Sequence, residues 1–167
     1  MMEHKPTNPQ QLNSHQFLLD KEIPFERASF STSTEKGAAN VAQALGFKDR
    51  QMVKTLIYEI VDTGETVLVM LGGDQFGQSG KLKKAIGSRN IKMASFEKVK
   101  EITGYEVGSI PPFSWQPAGF RTFIERSLLE ETKLGVGTGQ WGEEIIISPN
   151  ALVQASSAEV VDIAKED

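Results

Sequence analysis

Residues 66–71, Thr66-Val67-Leu68-Val69-Met70-Leu71, carry apolar side chains at both alternating positions of a strand. A strand apolar on both faces belongs in the middle of a sheet, covered from each side. The run before it, Met52 to Val61, has the β-branched and aromatic content of a partner strand. Asp62-Thr63-Gly64-Glu65 between them reads as a turn, so the two form a β-hairpin. The one charge in the first half of the partner strand is Lys54. Such a lysine either snorkels at a strand end or points into a functional pocket, and the residues alone do not choose.

The stretch from Gly72 to Phe113 continues from that hairpin and organises the rest. It opens with a Gly-rich turn, Gly72-Gly73-Asp74-Gln75-Phe76-Gly77. A short helix over Ser79–Ile86, ended by Gly87, carries Lys81, Lys83 and Lys84. A short strand at Asn90–Met93 and a helix over Phe96–Thr103 follow, the helix capped by Ser95 and stopped by Gly104. Gly108 to Gln116 is a loop, because Pro111-Pro112 can neither continue a helix nor pair in a central strand. The pattern suits a pocket wall with a rim that faces a polyanion. Between Lys81 and Lys100, Lys81, Lys83, Lys84, Arg89, Lys92, Lys98 and Lys100 stand against Glu97 alone, in a chain whose net charge is -4. A nucleic acid would therefore meet a local, salt-sensitive patch. The same lysines also suit the solvated faces of two helices.

On either side the elements are short. Thr7-Asn8-Pro9-Gln10 is a helix start, and a helix from about Pro9 to Asp20 packs an N-terminal segment (8–21) on the rest, with His15 as a packing residue. Ile23 to Phe30 is a loop and a short strand. Thr32 and Glu35 form a capping box before a helix through Ala38–Leu45 that stops at Gly46. Strands follow at Arg121–Glu125, Leu134–Gly137 and Glu144–Ile147, then a helix begun by Ser148-Pro149. Ala158–Ala164 is ambiguous between strand and helix. The expectation is one α+β domain over residues 1–167, with about seven short strands in a mixed sheet flanked by helices.

Several chemistries are missing from the residues. Cysteine is absent and histidine occurs only as His4 and His15, so no metal site, cofactor or thiol nucleophile is expected. No apolar run approaches the roughly 18 residues of a membrane span, and the N-terminus lacks a signal peptide's apolar core, so a cytoplasmic protein is expected. Gly77-Gln78-Ser79-Gly80-Lys81-Leu82 fails as a phosphate-binding loop: Gln75 stands where the first glycine is needed, and Leu82 where Ser or Thr is needed. Gly135, Gly137, Gly139 and Gly142 approach a dinucleotide fingerprint but lead into a strand. An enzyme with this inventory suits an already activated bond, such as an aminoacyl ester. Water attacks such an ester once its carbonyl is positioned and hydrogen bonds reach the developing oxyanion. A buried lysine and the backbone of the Gly108–Pro112 loop are the candidates for that work.

The ordered set Val53-Lys54-Thr55-Leu56, Gly73-Asp74, Lys81-Leu82-Lys83-Lys84-Ala85, Met93-Ala94-Ser95, Thr103-Gly104-Tyr105, Gly108-x-x-x-Pro112-Phe113, Glu125-x-Ser127-Leu128 and Ile146-Ile147-Ser148-Pro149 resembles the free-standing YbaK-like deacylases. It is similar as well to the editing domain inserted in bacterial prolyl-tRNA synthetases, and the resemblance covers about residues 32–161. It implies a barrel-like mixed sheet and hydrolysis of mischarged aminoacyl-tRNA, typically tRNA-Pro carrying Cys, Ala or another small amino acid. Prolyl-tRNA synthetase is a possible partner. Lys54 matches the family's essential lysine, which holds the tRNA 3′ end or the ester. Gly108, Ser109, Ile110, Pro111 and Pro112 match its aminoacyl-contacting loop. The reaction leans on groups of the substrate itself. Phe30, Asp74 and Ser127 are further substrate-side candidates, and Lys81, Lys83 and Lys84 candidates for phosphate contact. Asp74 and Ser127 equally suit turn and cap roles.

This chain departs from its relatives in three places. Ser114-Trp115 follows Pro112-Phe113 where a glycine is usual, Phe30 stands where some members carry Tyr, and Gly137–Gly142 lacks a base. These departures bear on amino-acid specificity and leave Lys54 untouched. Trp115 fills the pocket, stacks on a terminal base or packs internally. The alternative to a deacylase is a non-catalytic module of the same fold that binds tRNA or a nucleotide.

Overall fold

The computed structural model describes residues 10–166. Its elements in chain order are α1 (Asn13–Asp20), β1 (Glu26–Ser29), α2 (Ala38–Leu45), β2 (Lys54–Ile60), β3 (Thr66–Leu71), α3 (Ser79–Ile86), β4 (Ile91–Met93) and α4 (Phe96–Thr103). Then come β5 (Thr122–Glu125), β6 (Leu134–Gly137), β7 (Glu143–Ile147), α5 (Pro149–Ser156) and β8 (Glu159–Val161). Single 3₁₀ turns occupy Asp49–Gln51 and Arg126–Glu130.

The strands make two sheets. The larger has the order β4-β2-β3-β5-β8, with β2 antiparallel to both β3 and β4, and β3, β5 and β8 mutually parallel. The smaller is antiparallel in the order β1-β7-β6. The sheets meet where Val53 N–H donates to Gly135 O at 2.9 Å, beside a parallel bridge from Met52 to Gly135. The described residues thus form eight short strands in two sheets, instead of about seven in one barrel-like sheet. The eighth is the ambiguous segment after α5. At three residues it is too short to display a period, and it is a strand only because β5 offers a parallel edge.

β3 is central, between β2 and β5, and its alternation explains its composition. Leu68 and Met70 enter the main core with Ile57, Ile124, Val136, Ile145, Ile147, α1's Leu18 and α5's Leu152. Val67, Val69 and Leu71 enter a second core with Phe123 and with Leu82 and Ile86 of α3. All five β3 side chains are at most 1% exposed. Each large aliphatic side chain so buried contributes about 1.5–3 kcal/mol, which fixes the strand's place. A third, small cluster gathers Val41 and Ala42 of α2 with Met52, Phe30 and Trp141.

The capped helices run as expected. Ser95 Oγ accepts from Lys98 N–H and Ser148 Oγ from Ala151 N–H. Two helix starts differ. The one expected at Thr7–Pro9 lies outside the described residues, and the described helix begins at Asn13, where His15 Nδ1 accepts from Leu12 N–H at 3.1 Å. The Thr32–Glu35 capping box does not form, and α2 starts at Ala38. Trp141 Nε1 donates to Thr32 O at 3.1 Å, and Phe30 N–H donates to Gly142 O at 2.9 Å. Those bonds draw this segment onto the β6–β7 hairpin instead of into a helix. Among the described residues no helix is long and apolar enough to cross a membrane.

Candidate active site

Lys54 opens β2 opposite Leu71, the last residue of β3. Its ammonium therefore emerges where the chain leaves β3 through Gly72–Gly77. It donates to the Gln75 main-chain carbonyl and lies 4.3 Å from the centre of the Phe76 ring. Burial pushes the Lys54 amine below its ordinary pKa, and the nearby Asp74 carboxylate partly opposes that. Asp74 is engaged by Arg50 through Nε at 2.6 Å and NH2 at 3.4 Å, which holds its carboxyl below the usual range.

The turn that presents the Gln75 carbonyl is built from its own side chain. Gln75 Oε1 accepts from Gly72 N–H at 2.8 Å, and Gln75 Nε2 donates to Ser127 Oγ at 2.9 Å. Ser127 N–H donates to Glu125 Oε2 at 2.9 Å, while Glu125 Oε1 accepts from the N–H groups of Ile163 and Ala164. Burial works to raise the Glu125 carboxyl, yet the Ser127 hydroxyl and these backbone N–H groups hold it below its ordinary value. Glycine is needed at position 73 by contact: a Cβ there would stand 2.2 Å from Asp49 O and 2.8 Å from Met52 O. The sequence-predicted Lys54, Asp74 and Ser127 thus converge on one turn, with Gln75 as a linking residue that no sequence signal marked.

The Gly108–Pro112 loop packs on the β6–β7 hairpin. Gly139 N–H donates to Ser109 O at 2.7 Å. A Cβ at Gly137 would stand 2.8 Å from the Ser109 carbonyl and 2.9 Å from Ile110 O. Ser109, Ile110, Pro111 and Pro112 are buried, and Gly108 is exposed with φ 102°. On the loop's other side Trp115 Nε1 donates to Pro111 O at 2.6 Å, and the indole meets Phe120 edge-on at 5.0 Å. Trp115 is therefore a packing residue, half-buried against the main core. Among the described residues no hydrogen bond joins Lys54 to the loop. Strand β6 links them, bonded to Val53 at Gly135 and continuing to Gly139 against Ser109. Phe30 adjoins the same hairpin, its ring edge-on to Trp141 at 4.8 Å.

One residue of this region was not anticipated. Glu144 on β7 pairs with Gly137 on β6 and Ala28 on β1. It is 9% exposed, and its Oε2 would lie 3.3 Å from a Cβ at Gly135. Its carboxyl has no hydrogen-bonding partner among the described residues, and burial pushes its pKa up to about 8. The missing side chain at Gly135 makes the room. The sequence signal was faint: an acid at an inward position of a strand, visible only once the register is known.

Residues 32–155 match the model of the aminoacyl-tRNA editing domain. The chain belongs to the aminoacyl-tRNA editing domain family. The protein of Enterococcus faecalis named "Putative Cys-tRNA(Pro)/Cys-tRNA(Cys) deacylase EbsC" is 24% identical over 164 residues, 98% of this chain and 99% of that one. The proline–tRNA ligase of Streptococcus sanguinis is 30% identical over 139 residues, 83% of this chain but 22% of the ligase. That of Halalkalibacterium halodurans is 37% identical over 87 residues, 52% of this chain and 15% of the ligase. A structure described as "Crystal structure of a putative trans-editing enzyme for prolyl tRNA synthetase" shares the fold, with a TM-score of 0.83 at 22% identity over 92% of this chain and 96% of that one.

The basic rim of this editing domain is narrower than its lysine count suggests. Lys81 Nζ contacts Asp162 at 3.1 Å, Ala164 O at 3.1 Å and Glu166 at 3.5 Å, so its charge is spent on the C-terminal segment. Lys84 is exposed and Lys83 half-buried. A cavity of about 510 Å³ lies beside Gln75 and Ser127, and the side chains of Arg50, Lys81, Arg126 and Asp162 give its wall both signs of charge. His15 stacks on Phe25 at 5.9 Å inside the fold, as a packing histidine.

Proposed function

We propose that this editing domain is a trans-acting deacylase that hydrolyses the ester of mischarged aminoacyl-tRNA, with Cys- or Ala-tRNA-Pro as substrate. The observation that carries the reading is the Lys54 ammonium: half-buried, held by the Gln75 carbonyl, and placed at the sheet end where two loops leave the fold. The relative named for Cys-tRNA deacylation supports the choice of ester. Water adds to the ester carbonyl, the tetrahedral intermediate collapses, and the terminal ribose oxygen leaves carrying a proton. Lys54 holds the 3′ end by charge and hydrogen bonds, raising the effective concentration of the ester at the site. The Gly108–Pro112 loop bounds the aminoacyl group, and its clamped backbone excludes larger side chains. Proton movement is left to the substrate's own thiol or ribose hydroxyl. Prolyl-tRNA synthetase, which makes such mischarged products, is the proposed partner.

The test is deacylation of tRNA-Pro charged with Cys, Ala, Ser or Pro, by wild type and by Lys54→Ala. Turnover of a non-cognate ester, sparing Pro and lost in a folded Lys54→Ala, is the expected result. Survival of every ester at micromolar protein overturns the proposal.

A further inference from the structure

Phe76 is 69% exposed, although the backbone that carries it is fastened on every side. Its carbonyl accepts from Lys165 N–H at 2.7 Å, and Gln78 N–H donates to Ile163 O at 2.8 Å. Gly77 bridges Ala164, and the Gln75 carbonyl before it takes the Lys54 ammonium. A loop so anchored cannot shift as a whole to bury the ring, so its exposure belongs to the fold. Among the described residues one more large aromatic is as exposed, Phe96 at 76%, but it opens α4 and no described cation lies over its ring. Phe76 differs by its partner: the Lys54 ammonium is 4.3 Å from its centre. The combination is a flat apolar ring with a positive charge over one face and most of its surface open to solvent. A matching ligand is a planar base attached to an anion, which describes an unpaired nucleotide.

We propose that Phe76 is the stacking platform for an unpaired base at the single-stranded 3′ end of the tRNA, with Lys54 meeting the adjoining phosphate. The inference rests on the proposed function and extends it to a second binding group. Stacking on an aromatic ring tolerates any base and orients the chain leading to the ester without touching the reacting atoms. Phe76 is thus a positioning residue, and its removal acts on binding and not on the chemical step.

The probe is a single-stranded pentanucleotide RNA with 2-aminopurine at its 3′ terminus, titrated against wild type, Phe76→Leu and Phe76→Tyr. Deacylation of mischarged tRNA-Pro is followed in parallel. Quenching of the probe by wild type and by Phe76→Tyr is expected, with affinity lower by roughly five- to hundredfold in Phe76→Leu. In the deacylation assay Phe76→Leu is expected to raise KM and leave kcat unchanged. Equal quenching by Phe76→Leu and wild type overturns the platform, as does a loss confined to kcat. Absence of quenching by wild type overturns it too, and the parallel assay then separates the two ideas: if the ester is still hydrolysed, the deacylase stands and only the stacking role has failed.

Discussion

Gln75 and Ser127, 52 positions apart, are joined by a 2.9 Å hydrogen bond from Nε2 to Oγ. The bond ties the turn that receives Lys54 to the 3₁₀ turn after β5. Gln75→Ala removes it and also leaves the Gly72 N–H without its acceptor, a loss of about 1–3 kcal/mol for a buried donor. Ser127→Ala removes the shared bond and the hydroxyl's own hydrogen bond to Glu125, whose carboxylate keeps its three backbone N–H donors. Denaturant midpoints should therefore fall further for Gln75→Ala than for Ser127→Ala. Deacylation should fall with the carbonyl's displacement, by roughly tenfold to a hundredfold in Gln75→Ala. Equal midpoints for the two variants would show that the Gly72 contact is idle.

Glu144 should make stability depend on pH in a defined direction. Its folded pKa, about 8, lies above the ordinary value of 4.5, so the folded state holds a proton that the unfolded state has released between those two values. Relative to Glu144→Gln, wild-type stability is undiminished below pH 4.5 and declines as pH rises towards 8. The accumulated difference is on the order of a few kcal/mol. Thermal midpoints of the two proteins from pH 4 to 9 check this. Parallel curves would mean that the carboxyl is ionised and paired in solution.

Gly137→Ala drives a methyl group against the Ser109 carbonyl, which is backbone and cannot rotate aside. Overpacking of this kind costs about 1–3 kcal/mol, and the strain is relieved by moving the Gly108–Pro112 loop. Both a lower thermal midpoint and a lower kcat/KM are expected. Gly80→Ala in α3, where an added Cβ meets nothing nearer than the Gln78 side chain at 3.3 Å, controls for loss of backbone freedom without a clash against backbone.

Lys81 and Lys84 should separate in salt titrations of tRNA binding. Lys81 is neutralised by Asp162 and Glu166, whereas Lys84 is exposed. Lys84→Ala is expected to lower the slope of log affinity against log salt by about 1, and Lys81→Ala to leave it unchanged. A drop of the slope in Lys81→Ala would mean that RNA displaces the acidic segment.

Much of the fold was legible from local signals. β3 follows from two-faced apolarity, and α3, α4 and α5 from a cap, a periodic face or a terminal glycine. The Thr32–Glu35 box was misleading because a tertiary bond, Trp141 to the Thr32 carbonyl, outweighs a local cap worth about 1 kcal/mol. Lys54 was legible as a charge out of place. Gln75, Phe76 and Glu144 were not, since each acquires meaning only from a tertiary neighbour: Ser127, Lys165 and Gly135. The spending of Lys81 on the C-terminal segment was hidden for the same reason.

The bonds from Ile163, Ala164 and Lys165 to Glu125, Gly77 and Phe76 also set an order of events during synthesis. β2, β3 and the turn after them leave the ribosome well before residues 163–165, which supply their last fastenings. Nascent protein lacking those residues holds a hairpin with an unfinished turn, so the lysine acquires its final surroundings only when translation of this stretch is nearly over.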